Sequence, residues 1–282
     1  MTTARRTPRL KWHMLRRRKS DPPFLRENLA AALNAGAACE VDVVVTRDGH
    51  ALCLHDRTLD RETTGTGRVA DATRADIERL RQRGADGAAL ASAPLFVDEV
   101  VAAVAQAGIR ERALVQLDVK ARGAEWTPTA LDRLATLLGD RADAFIASAY
   151  DWNTVETLVA AVPGLHAGFD PLSLYPRSFA LDADGFRDLA RRTLAIAPNA
   201  SIYYLEANLV IAALERGVNL IDQISREGAE VDAWTIDADR PELEALLRRL
   251  IGAGAHQITS NDPERLAAIV AEMVREPQSE PS

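Results

Sequence analysis

Two carboxylates in the first part of the chain have the spacing of a metal-binding pair. Glu40 and Asp42 lie two residues apart in an apolar run, residues 39–45. In an extended strand, residues at this spacing point to the same face and lie about 6.6 Å apart. Two carboxylates on one covered face repel each other and are poorly solvated, and a hard cation with oxygen ligands relieves that repulsion. The pair predicts a metal site, unless this face is exposed and the neighbouring valines are buried behind it.

A third acid lies further along the chain, in the sequence Leu117-Asp118-Val119-Lys120. Asp118 and Lys120 share one face of a strand because side chains alternate with a period of two. Asp118 is a candidate third oxygen ligand, and Lys120 offers a cation for a phosphate oxygen of a substrate. The alternative is an ordinary structural ion pair between the two residues.

Two histidines are candidates for proton transfer beside that metal. His55 follows Glu40 by 15 residues, and a short hairpin returns it towards the carboxylates, while His13 ends the first predicted strand. An imidazole titrates near neutral pH, so two of them suit a general base and a general acid. Either histidine could instead be structural or a direct metal ligand. The others, His50, His166 and His256, are predicted at turn or structural positions.

Strands and helices must alternate to bring these residues together. Apolar runs rich in β-branched residues alternate with amphipathic patterns along the chain, without a linker between them. The predicted strands lie near residues 10–15, 39–45, 113–119, 144–149, 165–170, 200–205, 230–236 and 255–259. The predicted helices cover residues 25–35, 97–107, 127–138, 151–161, 183–195, 206–216, 240–251 and 263–274. Eight such units in about 270 residues predict an α/β fold, a (β/α)8 TIM barrel. An open doubly wound sheet is the alternative, but no G-x-G-x-x-G turn follows the first strand.

The run Ala51-Leu52-Cys53-Leu54-His55 predicts a β-hairpin flap after the second strand. The turn before it contains Asp48-Gly49 and is short, whereas a parallel partner needs a crossover of a dozen or more residues. We therefore expect a single TIM-barrel domain at residues 8–275, with the flap antiparallel to its second strand. Residues 276–282 are polar and contain prolines, and they are expected to form a frayed tail.

Composition excludes several classes of protein. The chain has 282 residues, of which 47% are hydrophobic and 27% charged, as in an ordinary globular domain. The longest stretch without a charged residue, Thr157 to Phe169, is shorter than the roughly 20 apolar residues of a transmembrane helix. Cys39 and Cys53 cannot form a disulfide framework, so they are predicted to be buried hydrophobes in a reduced, cytoplasmic protein.

The charge is divided unevenly along the chain. The net charge of −7 combines +8 in the first 19 residues with −15 in the remainder. The acidic body and the aromatic content of 5% disfavour a nucleic-acid partner, so we expect a small-molecule partner, and no oligomeric state is predicted. The basic start fits a solvated end beside an anion-binding site, and a nucleic-acid or lipid-binding arm is the alternative.

The reacting groups of a TIM barrel lie at the carboxyl ends of its strands, where the βα loops meet. Besides the residues already named, polar side chains at the predicted strand ends are Tyr150, Asp170, Glu206, Trp234 and Asp237. Trp234 is predicted to line the substrate pocket.

The sequence around these residues resembles the glycerophosphodiester phosphodiesterase family. The central block consists of the E-x-D pair of Glu40 and Asp42, the dipeptide His55-Asp56 and the tract Thr64-Gly65-Thr66-Gly67. Asp118-Val119-Lys120 is similar to the family's E-[IL]-K strand. Two later segments, Ala233-Trp234-Thr235-Ile236 and Ile258-Thr259-Ser260-Asn261-Asp262-Pro263, are similar to its closing motifs.

This resemblance implies a divalent-metal-dependent barrel that cleaves glycerophosphodiesters to glycerol 3-phosphate and an alcohol. It places the metal on Glu40, Asp42 and Asp118, and it makes His13 the base and His55 the acid. One cation is expected, Mg²⁺ or Ca²⁺, and Mn²⁺ also suits oxygen ligands.

Two departures from the family pattern concern the substrate. The family's H-R-G start reads His13-Met14-Leu15 here, so Arg16 or Arg17 is predicted to bind the substrate phosphate together with Lys120. Asp118 stands where the family has Glu. These features are also similar to the sphingomyelinase D-like phospholipases, so a phospholipase D-like activity on lysolipids or sphingolipids is one alternative. A non-catalytic barrel that binds anions is the other.

Overall fold

A computed structural model of the chain describes residues 7–107, 113–225 and 228–275. Nine strands form one sheet in the order β1-β9-β8-β7-β6-β5-β4-β2-β3, and β1 also pairs with β2. Eight parallel strands therefore close a barrel, which confirms the predicted TIM barrel. The strands are β1 (Arg9–Trp12), β2 (Ala38–Val45), β3 (Ala51–Cys53), β4 (Val115–Val119), β5 (Phe145–Ala149), β6 (His166–Phe169), β7 (Ile202–Glu206), β8 (Glu230–Trp234) and β9 (Gln257–Ser260). The predicted frayed tail lies outside the described residues.

Helices cover the outside of the barrel. They are α1 (Arg26–Ala35), α2 (Arg74–Ile77), α3 (Val97–Ala107), α4 (Pro128–Leu138), α5 (Trp152–Ala161), α6 (Ala183–Ile196), α7 (Ala207–Glu215), α8 (Leu220–Ser225), α9 (Leu243–Ala253) and α10 (Pro263–Arg275). Local sequence sets several starts, since Thr127 and Asp151 cap α4 and α5 by accepting backbone N–H bonds. The short helices α2 and α8 were not predicted. Within the described part of the chain, no helix has the length and apolar character to cross a bilayer.

The register between β2 and β4 determines where the acids meet. Asp42 pairs directly with Asp118, and Glu40 pairs with Gln116. Paired residues of neighbouring strands point to the same face, here the barrel interior. Every residue of β2 is buried, and Glu40 and Asp42 are only 2% and 1% exposed. The alternative of an exposed acidic face is therefore wrong.

The flap forms as predicted. β3 runs antiparallel to β2, with Cys53 opposite Val43, and the Leu54 N–H donates to the Asp42 carbonyl at 3.1 Å. No element was predicted between residues 56 and 96, where the structure has α2 and several turns. This segment encloses a small apolar cluster of its own, made of Val44, Leu52, Leu54, Leu59, Val69, Ile77 and Phe96.

The first strand is shorter than predicted. It was expected to continue to residue 15, but β1 ends at Trp12 and a 3₁₀ turn covers His13–Leu15. Met14 and Leu15 have left-handed φ values of 52° and 54°. The Met14 N–H donates to Glu40 Oε2 at 2.6 Å, and its carbonyl accepts from Phe24. These bonds replace the strand pairing and turn the chain away immediately after His13.

The floor of the barrel is polar and ordered. Lys11 is 2% exposed and lies 2.9 Å from Asp232. Its ammonium also hydrogen-bonds Gln116 and lies 4.3 Å from the centre of the Tyr204 ring. Asp232 accepts a further hydrogen bond from Thr259 at 2.7 Å. Each buried charge therefore has a partner, as burial in a low-dielectric interior requires.

We expect Lys11→Met to destabilise the fold by about 3 kcal/mol, because it leaves the buried Asp232 without its countercharge. The measurement is urea unfolding followed by circular dichroism. Lys19→Met is the matched control, since Lys19 pairs with Asp237 and Asp239 at the exposed surface and should unfold close to wild type. Equal stability of the two variants would show that the Lys11–Asp232 pair does not support the barrel.

Candidate active site

A cavity of about 210 Å³ opens at the carboxyl ends of the strands. Its wall includes most of the residues singled out from the sequence, namely His13, Glu40, His55, Asp118, Lys120 and Trp234. They lie in or directly after β1, β2, the flap, β4 and β8, so the closed barrel brings together residues up to 221 positions apart in the chain. Asp42 lies behind this wall and is fully enclosed.

The three predicted metal ligands converge. One carboxylate oxygen each from Glu40, Asp42 and Asp118 lies within 4.8 Å of the other two. Oxygens that surround a cation at about 2.0–2.6 Å have separations of this size. Both carboxylate oxygens of Asp42 are buried and accept no hydrogen bond from the described residues. This donor set therefore fits a hard divalent cation.

Without a bound cation, burial disfavours the ionised form of two of these acids, Glu40 and Asp42. Removal of Glu40 from water raises its pKa, and repulsion from the charge of Asp118 adds a smaller increase. Burial and then the charge of Glu40 raise the pKa of Asp42 to about 8. Burial also acts on Asp118, but the ammonium of Lys120 outweighs it and holds the pKa of that carboxyl below its usual value. A site with two of its three acids in this state gains strongly from added positive charge.

Lys120 is the protein's own cation at this place. Its ammonium lies 3.1 Å from Asp42 Oδ1 and hydrogen-bonds Asp118. Although burial opposes it, the charge of Asp118 keeps the pKa of Lys120 above its ordinary value. Ser148 donates to the other Asp118 oxygen at 2.7 Å, which fixes the orientation of this carboxylate.

His13 is held in one tautomer by a residue that the sequence singled out only as part of the closing motif. Its Nδ1 lies 2.8 Å from Asn261 Oδ1, and the amide Nδ2 of Asn261 donates to Asp237 at 2.9 Å. Because the oxygen of Asn261 faces His13, Nδ1 carries the proton and Nε2 keeps its lone pair. That Nε2 lies 3.9 Å from Glu40 Oε2. Burial lowers the pKa of His13, which favours the neutral form of the ring.

His55 has a different environment. Its side chain is 45% exposed, and Nδ1 lies 2.9 Å from Asp56. A two-pronged contact with Arg61 lowers the pKa of Asp56 to about 2. The buried Glu62, which sequence reasoning missed, accepts the backbone N–H groups of both His55 and Asp56. His55, Asp56 and Glu62 also lie close enough to hold a metal, but the hydrogen bonds already given occupy these acids.

The two predicted phosphate-binding arginines point in different directions. Arg16 is half-buried, and its Nη1 donates to Asn261 Oδ1 at 3.1 Å beside His13. Arg17 is exposed and pairs with Glu264 of α10 at 2.7 Å. The structure thus brings Arg16, rather than Arg17, next to a candidate catalytic group.

Two aromatic residues and one acid complete the cavity. The indole N–H of Trp234 and the hydroxyl of Tyr204 are buried and have no hydrogen-bond partner among the described residues. Asp170 also lines the cavity, and burial raises its pKa well above the usual value. The unpaired donors of Trp234 and Tyr204, and the favoured protonated form of Asp170, suit a substrate that carries hydroxyl groups.

The profile of the glycerophosphoryl diester phosphodiesterase family matches residues 27–265. The chain belongs to this family. The family resemblance expected from the motifs is therefore confirmed. Among curated relatives, the probable glycerophosphodiester phosphodiesterase 1 of Mycobacterium tuberculosis is 52% identical over 50 residues. That segment covers 17% of this chain and 18% of the relative. The glycerophosphodiester phosphodiesterase of Caldanaerobacter subterraneus is 40% identical over 67 residues, 22% of this chain and 28% of the relative.

Solved structures of the family share the barrel at low sequence identity. A putative glycerophosphoryl diester phosphodiesterase from Silicibacter pomeroyi superimposes with a TM-score of 0.71 at 19% identity, over 95% of this chain and 94% of the other. A phosphodiesterase from Oleispira antarctica, solved with its product sn-glycerol-3-phosphate, gives 0.67 at 17% identity over 94% and 97%. At these identities the likeness establishes the fold.

We expect Asp42→Asn to weaken binding of a divalent cation by at least about tenfold, because the neutral amide removes a ligand charge. The cation-free variant should be about as stable as wild type, because the change removes a buried acid that Glu40 and Asp118 repel, together with its ion pair to Lys120. Titration calorimetry with Mg²⁺, Ca²⁺ and Mn²⁺ and thermal unfolding without metal test both expectations. Asp60→Asn, at an exposed acid that accepts the Gly67 N–H, is the control. Unchanged cation affinity in Asp42→Asn would remove this residue from the metal site.

Proposed function

We propose that this member of the family hydrolyses glycerophosphodiesters to glycerol 3-phosphate and an alcohol. The observation that carries the proposal is that Glu40, Asp118, Lys120 and two differently held imidazoles line one cavity, while Asp42 lies within 4.8 Å of both acids behind its wall. Such a constellation combines charge stabilisation with proton transfer, the two requirements of phosphodiester cleavage.

Glu40, Asp42 and Asp118 are the residues that would hold one divalent cation, Mg²⁺ or Ca²⁺, with Mn²⁺ as a further candidate. When bound, the cation supplies positive charge that stabilises the negative charge developing on the phosphate oxygens. Lys120 would then be free to contact a non-bridging oxygen of the phosphate. Arg16 lies beside His13 and is the arginine best placed for a second oxygen.

The two histidines divide the proton transfers. His13 Nε2 takes a proton from the attacking oxygen. Attack by water gives glycerol 3-phosphate directly, whereas attack by the neighbouring glycerol hydroxyl gives a cyclic phosphate that water must then open. As the new P–O bond forms and the old one breaks, His55 gives a proton to the departing alkoxide. Burial lowers the pKa of the half-buried His13, which favours the neutral ring that a base needs, and the carboxylate of Asp56 orients the ring of His55 at the rim of the cavity.

An assay of water-soluble glycerophosphodiesters and of lysolipids, each with the three cations, tests this function. Release of glycerol 3-phosphate from the soluble diesters supports it. Choline release from lysolipid alone would support the phospholipase D-like alternative instead, and binding without turnover would support an anion-binding barrel. The cytoplasmic location and the absence of a nucleic-acid partner stay predictions, as do the catalytic roles of individual residues.

We expect His13→Ala and His55→Ala each to lower kcat by at least about 100-fold, as is usual when a general acid or base is removed. His166→Ala is the control, because His166 begins β6 and its ring contacts the Asp143 carbonyl away from the cavity. Initial rates at saturating substrate give the comparison. A variant of His13 or His55 with wild-type kcat would exclude that histidine from proton transfer.

We expect Arg16→Ala to lower kcat/KM by about tenfold or more, as for a lost hydrogen bond to a charged group. Arg17→Ala should remain close to wild type because Arg17 pairs with Glu264 at the surface. Steady-state kinetics at two salt concentrations distinguish contact from distant attraction. Two equal, small, salt-sensitive decreases would show that these arginines only attract anions from solution.

A further inference from the structure

A second, larger cleft of about 640 Å³ adjoins the active-site cavity. The two share His55, Lys120 and Tyr150 as lining residues. From these residues the cleft extends over the loops that follow β4 and β5, where Arg122 and Asp151 lie. It is thus an open continuation of the cavity on the side of His55, away from His13.

The direction of the reaction indicates which part of the substrate lies there. In an in-line displacement at phosphorus, the attacking and leaving oxygens occupy opposite sides of the phosphate. His55 is the proposed acid, so the leaving oxygen lies beside His55. The group attached to that oxygen, which is the alcohol, then extends into the cleft, while the glycerol side faces His13.

The charges of this cleft are not balanced. Arg57 and Arg122 line it, and in the described part of the chain neither guanidinium group forms an ion pair. Glu125 accepts the backbone N–H of Arg122 at 2.8 Å, but its side-chain ion pair is with Arg68.

Of the two acids of the lining, Asp56 forms an ion pair with Arg61, whose Nε and Nη2 donate to its two carboxylate oxygens. Asp151 accepts from the neutral Thr154 Oγ1 at 2.8 Å at the start of α5 and keeps its charge. Two guanidinium groups therefore face one uncompensated carboxylate.

The aromatic residue of the cleft does not favour a cationic alcohol either. Tyr150 is 45% exposed and could offer its ring to a quaternary ammonium group. However, the Lys120 ammonium already lies 5.5 Å from the centre of that ring. A second cation at this ring would be repelled by Lys120, whereas an anion would meet Lys120, Arg57 and Arg122 together.

We propose that the cleft binds the leaving alcohol and selects one that carries an anionic group, a phosphate or a carboxylate. Arg57 and Arg122 are its specificity-determining residues. This inference rests on the proposed function, because it assumes diester cleavage with His55 on the leaving-group side.

The test compares three diesters of glycerol 3-phosphate whose alcohols are cationic, neutral and anionic. They are glycerophosphocholine, glycerophosphoglycerol and glycerophosphoglycerol phosphate, assayed at low ionic strength with a saturating divalent cation. We expect kcat/KM for the anionic alcohol to exceed that for the cationic alcohol by about tenfold or more, and added salt to reduce the difference. Equal values, or a preference for glycerophosphocholine, would overturn the proposal.

Variants of Arg57 and Arg122 test whether these residues cause the preference for an anionic alcohol. In the double variant Arg57→Gln/Arg122→Gln, the anionic-to-cationic ratio of kcat/KM should fall by about tenfold, mainly through KM. Arg68→Gln is the matched control, because Arg68 is exposed nearby but pairs with Glu125 and Asp71, and its ratio should equal that of wild type. An equal fall in the control would show that overall charge, rather than this cleft, sets the preference.

Different results would contradict the selectivity of the cleft and the proposed hydrolysis of glycerophosphodiesters. Cleavage of glycerophosphoglycerol without discrimination by charge would overturn the cleft and leave the proposed function intact. No cation-dependent release of glycerol 3-phosphate from any of the three diesters would overturn both.

Discussion

Repulsion among three carboxylates at the mouth of the barrel is the constraint on which the rest of the site depends. Glu40, Asp42 and Asp118 are brought together by the pairing of β2 with β4, and burial denies them the water that would screen their charges. The protein answers with Lys120 between two of them and leaves both oxygens of Asp42 without hydrogen bonds. This imbalance favours added positive charge at the site, which Lys120 supplies, and the three acids lie close enough to hold a metal ion.

The polar network beneath that site supports the barrel and also orients Asp118 in the site. A line of contacts runs from Asp232 through Lys11 and Gln116 to Ser148, which donates to Asp118. Because every group in this line has a partner, the floor tolerates charges that would otherwise destabilise a barrel core. The apolar contribution comes instead from the outward-facing valines of β2 and the helices packed on them. One face of β2 therefore packs in the hydrophobic core, and its other face carries the acids of the site.

The two histidines of the site, His13 and His55, have different surroundings although they are the same type of residue. His13 is half-buried and lies 2.8 Å from the amide oxygen of Asn261, and burial lowers its pKa. His55 lies at the rim of the cavity beside a carboxylate that Arg61 keeps ionised. An amide therefore orients one ring, and a carboxylate orients the other. This difference supports the proposed roles of His13 as base and His55 as acid.

Features with a local cause could be read from the sequence alone. The alternation of strands and helices, the shared face of Glu40 and Asp42 and the hairpin at Asp48-Gly49 follow from side-chain periodicity and turn chemistry within a few residues. Contacts across the closed barrel could not be read in this way. Asn261 meets His13 across 248 positions of sequence, and Lys11 acquires its partners Gln116 and Asp232 only when the chain has folded. Such pairings depend on strand register and barrel closure, which tertiary packing decides because no local pattern encodes which distant strand becomes a neighbour.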